Sequence, residues 1–93
     1  MDRIAIRVII RGRVQGVGYR WWARGEAERL GLGGWVRNCT DGAVELLAAG
    51  PPEAVEQMLE ACRQGPASAR VVSIERFPAE DTGFAGFEER PTV

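Results

Sequence analysis

The sequence predicts an α+β sandwich, two helices on one antiparallel sheet, in the order β-α-β-β-α-β. Three observations predict it. Apolar residues alternate between a strand-like period of two and a helical period along the chain. Glycine and proline stand where the period changes. The two helical stretches are separated by two strand-like stretches joined at Thr40-Asp41-Gly42, a hairpin signal. A length of 93 residues suits one domain, 1–93.

Each element follows from its residues. "IAIRVIIRG" is β-branched and partly alternating, which predicts a first strand over about residues 4–11. From Tyr19 onward, Tyr19, Trp22, Ala23, Ala27 and Leu30 fall at helical spacing, with Arg24 and Glu28 opposite. Gly31 suits the C-terminal cap of that helix, with Leu32 packing back. Gly25 weakens the helix by roughly 1 kcal/mol relative to alanine. "GWVRN" and "AVELLAA" read as the second and third strands. In "GPPEAVEQMLEACRQGP" the prolines suit a helix start and Glu53 suits the first turn. Val55, Met58, Leu59 and Cys62 share one face, and Gly65-Pro66 ends the helix. "ARVVSIERF" is a fourth strand, "DTG" a loop, and "FAGFEER" a short final strand. This order is that of the split βαβ, ferredoxin-like fold. That fold hosts many functions, so the site must carry the functional argument.

Composition closes several routes. The chain has no histidine, and all 12 basic residues are arginine. It therefore lacks the usual general base near neutral pH and a Schiff-base lysine. Two isolated cysteines, Cys39 and Cys62, make neither a zinc site nor a disulfide scaffold. A cysteine phosphatase needs arginine six residues beyond its nucleophile; here those positions hold Glu45 and Ser68. No metal and no cofactor are expected. No run of about 18 apolar residues is present, and "MDRIAIRVII" lacks the pattern of a signal peptide, so a cytoplasmic protein without membrane contact is expected. Net charge is −1, which argues against bulk attraction to nucleic acid. The charge is uneven, however. Residues 1–38 carry eight arginines against three acids, and residues 39–93 four against ten. Most of this is solvated surface charge; an anion site in the first half is the functional alternative.

The stretch "GRVQGVGYRWW", residues 12–22, favours that alternative. A strand leads into a glycine-rich loop and then a helix N-terminus. Glycine lets the backbone take positive φ and approach a ligand closely. Successive N–H groups then converge on an anion, and the helix dipole adds to their pull. Arg20 stands at the junction with a planar, permanently charged fork that matches phosphate oxygens.

"GRVQGVGYR" resembles the first signature of the acylphosphatase family, V-Q-G-V-x-aromatic-R after a glycine. "GWVRNCTDGAVE", Gly34 to Glu45, followed by Gly50, is similar to the family's second signature. The resemblance covers essentially the whole chain. It implies a ferredoxin-like fold and hydrolysis of acyl phosphates to a carboxylate and inorganic phosphate. It implies that Arg20 binds phosphate, that Asn38 positions the attacking water, and that the backbone of Gln15, Gly16, Val17, Gly18 and Tyr19 forms the phosphate cradle. A monomer is the default expectation. The family commonly ends in aromatic-x-aliphatic-arginine, whereas "FEER" puts Glu89 at the aliphatic position. A short or frayed last strand is therefore expected. The implied chemistry fits the missing histidine. A carboxylate of pKa about 4 leaves at neutral pH without protonation, and phosphoryl transfer asks mainly for positioning and charge stabilisation.

Two rival readings fit less well. "GFAGF", residues 83–87, superficially resembles an RNA-binding RNP1 motif, but it lies on the last strand rather than the third. A regulatory small-molecule domain explains the fold but not an arginine–asparagine pair. Tyr19, Trp22 and Trp35 are expected in the core, while Trp21 either lines an acyl pocket or covers surface. Cys39 is expected to be packed rather than reactive. Arg13 and Arg37 are expected as surface charges, and Thr40 and Asp41 as turn residues.

Overall fold

A computed structural model describes residues 2–93. The elements are β1 (Ile4–Arg13), α1 (Tyr19–Arg29), β2 (Gly33–Asn38), β3 (Val44–Gly50), α2 (Pro52–Gln64), β4 (Arg70–Ala79) and β5 (Phe87–Arg90). The strands form one sheet in the order β4-β1-β3-β2-β5. Neighbours among the first four are antiparallel, as the sequence predicts. The fifth is not: β5 runs parallel to β2, so the sheet is mixed. The chain leaves β4 at one edge, crosses to the other, and enters there in the direction of β2. Strand β5 is formed but short, four residues, in line with Glu89 at the aliphatic position. The tail then continues the pairing, since the N–H of Val93 donates to the Asn38 carbonyl at 3.1 Å and the N–H of Thr40 to the Val93 carbonyl at 2.7 Å.

The period of two sorts the side chains between the faces. Ile6, Val8, Ile10, Val36, Val44, Leu46, Ala48 and Phe87 turn to the helix side, where Tyr19, Ala23, Ala27, Val55, Met58, Leu59 and Cys62 cover them. Helix α1 lies over β2 and β5, and α2 over β1, β3 and β4. Trp35 is buried as expected, in a second, smaller core cluster on the opposite face with Ala5, Leu47 and Ala49. Arginines complete that face. Arg37 and Arg90 stack on Trp35 at 4.4 and 5.2 Å, and Arg7 lies 4.6 Å from the Phe77 ring centroid. Arg7 and Arg37 both bond Glu45, at 2.9 and 2.8 Å. Trp22 is only partly buried, packing edge-on against Tyr19.

The helix ends follow their local chemistry. At the end of α1 the N–H of Gly31 donates to Glu28 and that of Leu32 to Ala27, a Schellman closure with Leu32 buried. Helix α2 begins on the two prolines and ends at Gly65. The Cys62 carbonyl in its last turn has no helical donor: the chain leaves the helix at Gly65, and Pro66 has no N–H. The Tyr19 hydroxyl donates to it instead, at 2.7 Å. A side chain at Gly65 would lie 2.9 Å from the Tyr19 ring, so glycine is what lets the ring seat there.

Candidate active site

The loop from Val14 to Gly18 joins the end of β1 to α1. Gly16 and Gly18 take left-handed φ of 72° and 78°, which L side chains adopt at a cost. None of the N–H groups from Gln15 to Tyr19 donates to a backbone acceptor among the described residues. Helix α1 starts at Gly18 without a capping side chain and without an acid in its first turn. Its N-terminal donors thus remain open, where the helix dipole is positive. Gly12, read with this loop in the sequence, serves another purpose. It sits at a register shift between β1 and β4, where a Cβ would collide with the Arg70 carbonyl.

Three side chains brace the loop from outside. Gln15 Nε2 donates to the carbonyls of Cys39 and Ala43 at 2.7 and 2.8 Å, tying the loop to the β2–β3 turn. Ser68 Oγ donates to the Val17 carbonyl at 2.9 Å. Tyr19 anchors the helix start through Cys62, and burial raises its phenol pKa so that the donor proton stays in place.

Val14, Gly16, Gly18, Tyr19, Arg20, Trp21, Asn38 and Glu89 line one cavity of about 130 Å³. About 10–15 Å³ of such space admits one water, so an oxyanion and a water fit together. Asn38 reaches it because its parity on β2 matches Val36, which faces the helices. Its backbone is held by the Val93 pairing and by the turn beyond. There Asp41 accepts from the Ala43 N–H at 3.0 Å, and that bond, then Arg11, lowers its pKa. Arg20 has no carboxylate within ion-pair reach among the described residues, unlike Arg7 and Arg37. Larger depressions exist, such as one of about 610 Å³ beside β1 and β4, but Arg3 and Arg76 there are each paired with an acid.

Of the residues expected at the site, Gly16, Gly18, Tyr19, Arg20 and Asn38 meet at this cavity. Gln15 and Val17 do not line it and instead anchor the loop. Trp21 is 75% exposed at the rim. Arg37, expected as a surface charge, is engaged on the opposite face of the sheet with Glu45 and Trp35. Cys39, next to Asn38, is half-buried, and burial followed by Glu45 and Asp41 raises its thiol pKa, which fits a packed group. Cys62 is buried and pushed up to about 12 by that burial. Sequence reasoning missed Glu89 as a lining residue. The signal was present: two positions after the inward-facing Phe87, a carboxylate must share its face.

The arrangement presents a fixed charge, open backbone donors and one neutral amide around a space the size of a phosphate. A family model, Acylphosphatase, matches residues 6–89. The acylphosphatase of Nitrobacter hamburgensis is 55% identical, with both chains covered in full. The crystal structure of acylphosphatase from Bacillus subtilis superposes with a TM-score of 0.91 at 38% identity, covering 94% of this chain and 98% of that one. An acylphosphatase from Coxiella burnetii gives a TM-score of 0.92 at 34% identity, covering 96% and 94%. Matching sequence end to end and matching backbone over nearly the whole chain leave one assignment: the chain belongs to the acylphosphatase family.

Proposed function

We propose that this enzyme hydrolyses acyl phosphates with Arg20 and Asn38 as its catalytic pair. The observation that carries the proposal is the cavity shared by Arg20, Asn38 and the glycine loop at an uncapped helix N-terminus. The loop amides and the Arg20 fork hold the phosphoryl oxygens. The Asn38 side-chain amide holds a water opposite the leaving oxygen. Water attacks phosphorus, the phosphorus–oxygen bond to the acyl group breaks, and the carboxylate departs with the bonding pair. The water's proton passes to a phosphate oxygen. No protonated leaving group is required, because a carboxylate is already a stable anion at neutral pH. The braces at Gln15, Ser68 and Tyr19 keep the donors aimed before substrate arrives, which is the form of electrostatic stabilisation that costs no reorganisation during reaction.

The same reading makes the enzyme independent of metal, since Arg20 and the amides supply the positive field a cation would bring. It works as a cytoplasmic monomer, without nucleic-acid or membrane partners. No described helix is long and apolar enough to cross a membrane. The test compares benzoyl phosphate, phenyl phosphate and an RNA oligonucleotide in excess chelator. Release of benzoate from the first alone is expected. Turnover of the monoester, binding of the oligonucleotide, or loss of activity on chelation with recovery on Mg²⁺ would overturn the reading.

A further inference from the structure

Nothing in the proposed catalytic step uses Glu89 or Trp21, yet both line the phosphate cavity. Trp21 lies at its rim, and it also walls a neighbouring depression with Trp22, Arg24, Gly25, Glu26 and Glu28. A phosphate seated on the loop amides and Arg20 leaves its acyl group to emerge over this rim. Glu89 reaches the rim through strand parity: it pairs in register with Val36, on the helix-facing side of the β2–β5 ladder that also brings in Asn38. Its only charged partner among the described residues is Arg24 at 3.5 Å, and Arg24 is shared with Glu28 at 3.4 Å. Two carboxylates thus divide one guanidinium. That guanidinium lines the neighbouring depression and not the cavity, so beside Arg20, which the phosphate engages, Glu89 is the charge that remains at the rim. With Arg20 engaged by phosphate, the exit path is an exposed indole flanked by Glu26, Glu28 and Glu89 against Arg24 and Arg29.

We propose that Trp21 and Glu89 form an acyl subsite that selects substrates by charge, favouring acyl groups that carry a cation and rejecting those that carry a second anion. The inference rests on the phosphate placement proposed above. An indole face attracts cations, most strongly where a nearby carboxylate adds to its field. A carboxylate facing a like charge at a few ångströms repels it, moderately at a wet rim and less as salt is added. The substrate class that fits is an acyl phosphate whose acyl part bears an ammonium group.

The test uses benzoyl phosphate and two para-substituted relatives, one with a trimethylammoniomethyl group and one with a carboxymethyl group. The methylene insulates the leaving group from the substituent's electronic effect. Wild-type kcat/KM is expected to favour the cationic over the anionic substrate by about tenfold at low salt, with the ratio shrinking as NaCl is added. Glu89→Gln should bring the ratio below about threefold with the melting temperature near wild type; any change in the shared phosphate's attraction raises all three substrates together and cancels from the ratio. Glu89→Arg should reverse the preference. A merely structural role would lower all three substrates together and leave the ratio unchanged. An unchanged ratio in Glu89→Gln, or a wild-type preference for the anion, would overturn the proposal. Failure to hydrolyse any of the three would overturn the catalytic assignment instead.

Discussion

The two faces of the sheet use arginine in opposite ways. On the open face, Arg7 and Arg37 converge on Glu45, and Arg7, Arg37 and Arg90 lie over Phe77 or Trp35. At the helix-side cavity, among the described residues, Arg20 has no carboxylate partner and the amides around it donate to no backbone acceptor. The first set is satisfied and acts as a structural cover over an aromatic. The second is a group of donors left open by the fold, and open donors are what an anion needs. The difference between a structural and a functional arginine here lies in the surrounding partners, since the side chain is the same.

The largest effect expected is at Arg20. Arg20→Ala should lower kcat/KM by about 10³-fold or more, the scale seen when an arginine is withdrawn from a transferring phosphoryl group. Arg20→Lys should fail badly too, because a point charge does not reproduce the fork. Circular dichroism should be unchanged in both. A lysine variant with near-normal turnover would erase the distinction drawn between a fork and a charge.

Next comes Asn38. Its loss should reduce kcat by on the order of 10²-fold or more while KM moves little, because it acts on the water chiefly in the transition state. Inorganic phosphate should still inhibit Asn38→Ala competitively, with Arg20 and the amides intact. If kcat holds while phosphate affinity collapses, Asn38 belongs with the binding groups. The pH–rate profile should be flat around neutrality in both wild type and this variant, with no imidazole to titrate. A limb near pH 6.5 would require an unrecognised base.

How much of this the sequence revealed depends on the range of the interaction. Helix α2 and its buried face were legible because Val55, Met58, Leu59 and Cys62 repeat at local spacing. So was the turn at Asp41-Gly42. The direction of β5 was not, because nothing local to "FEER" states which neighbour it meets or from which end. Burial of Trp35 was legible, but its face was not: parity is clear within β2, whereas which parity faces the helices depends on where they pack. Arg20 was visible from its place after a glycine loop. Asn38 rested on the resemblance alone, since a lone asparagine at a strand end carries no local signal. The braces from Gln15, Ser68 and Tyr19 span 24 to 51 positions, beyond any periodicity argument.

A smaller effect should come from the open face. Glu45→Ala removes the carboxylate that Arg7 and Arg37 share, and Glu45 is only 10% exposed at its side chain. Both arginines are partly exposed and can turn toward water, so the expected cost is about 2 kcal/mol rather than the larger penalty of a stranded buried charge. For a chain of this size that corresponds to a fall in Tm of roughly 10 °C. Turnover measured well below Tm should stay within a few-fold of wild type, because Glu45 does not line the cavity. A drop in kcat on the scale of Asn38→Ala would show that the two faces are coupled through β2.

The finest test sits where the two kinds of group meet, at Tyr19. Its ring is in the core and its backbone begins the helix that carries Arg20. Its hydroxyl satisfies the Cys62 carbonyl, which the helix end and Pro66 leave without a donor. Tyr19→Phe keeps the ring and removes only that bond. The carbonyl then remains buried without a partner, so a loss of about 1 kcal/mol is expected rather than the near-zero change of removing both partners together. The pH dependence should be silent through the neutral range, because burial raises the phenol pKa and the donor proton is held. If the hydroxyl also aims the loop, kcat should fall by a few-fold with the phosphate inhibition constant rising in step, since both depend on the same amides. Stability lost with kinetics untouched would confine Tyr19 to the core and leave Gln15 and Ser68 as the braces that matter. Unchanged Tm together with unchanged kinetics would mean that the Cys62 carbonyl finds another donor, and that the hydroxyl does not link the core to the site.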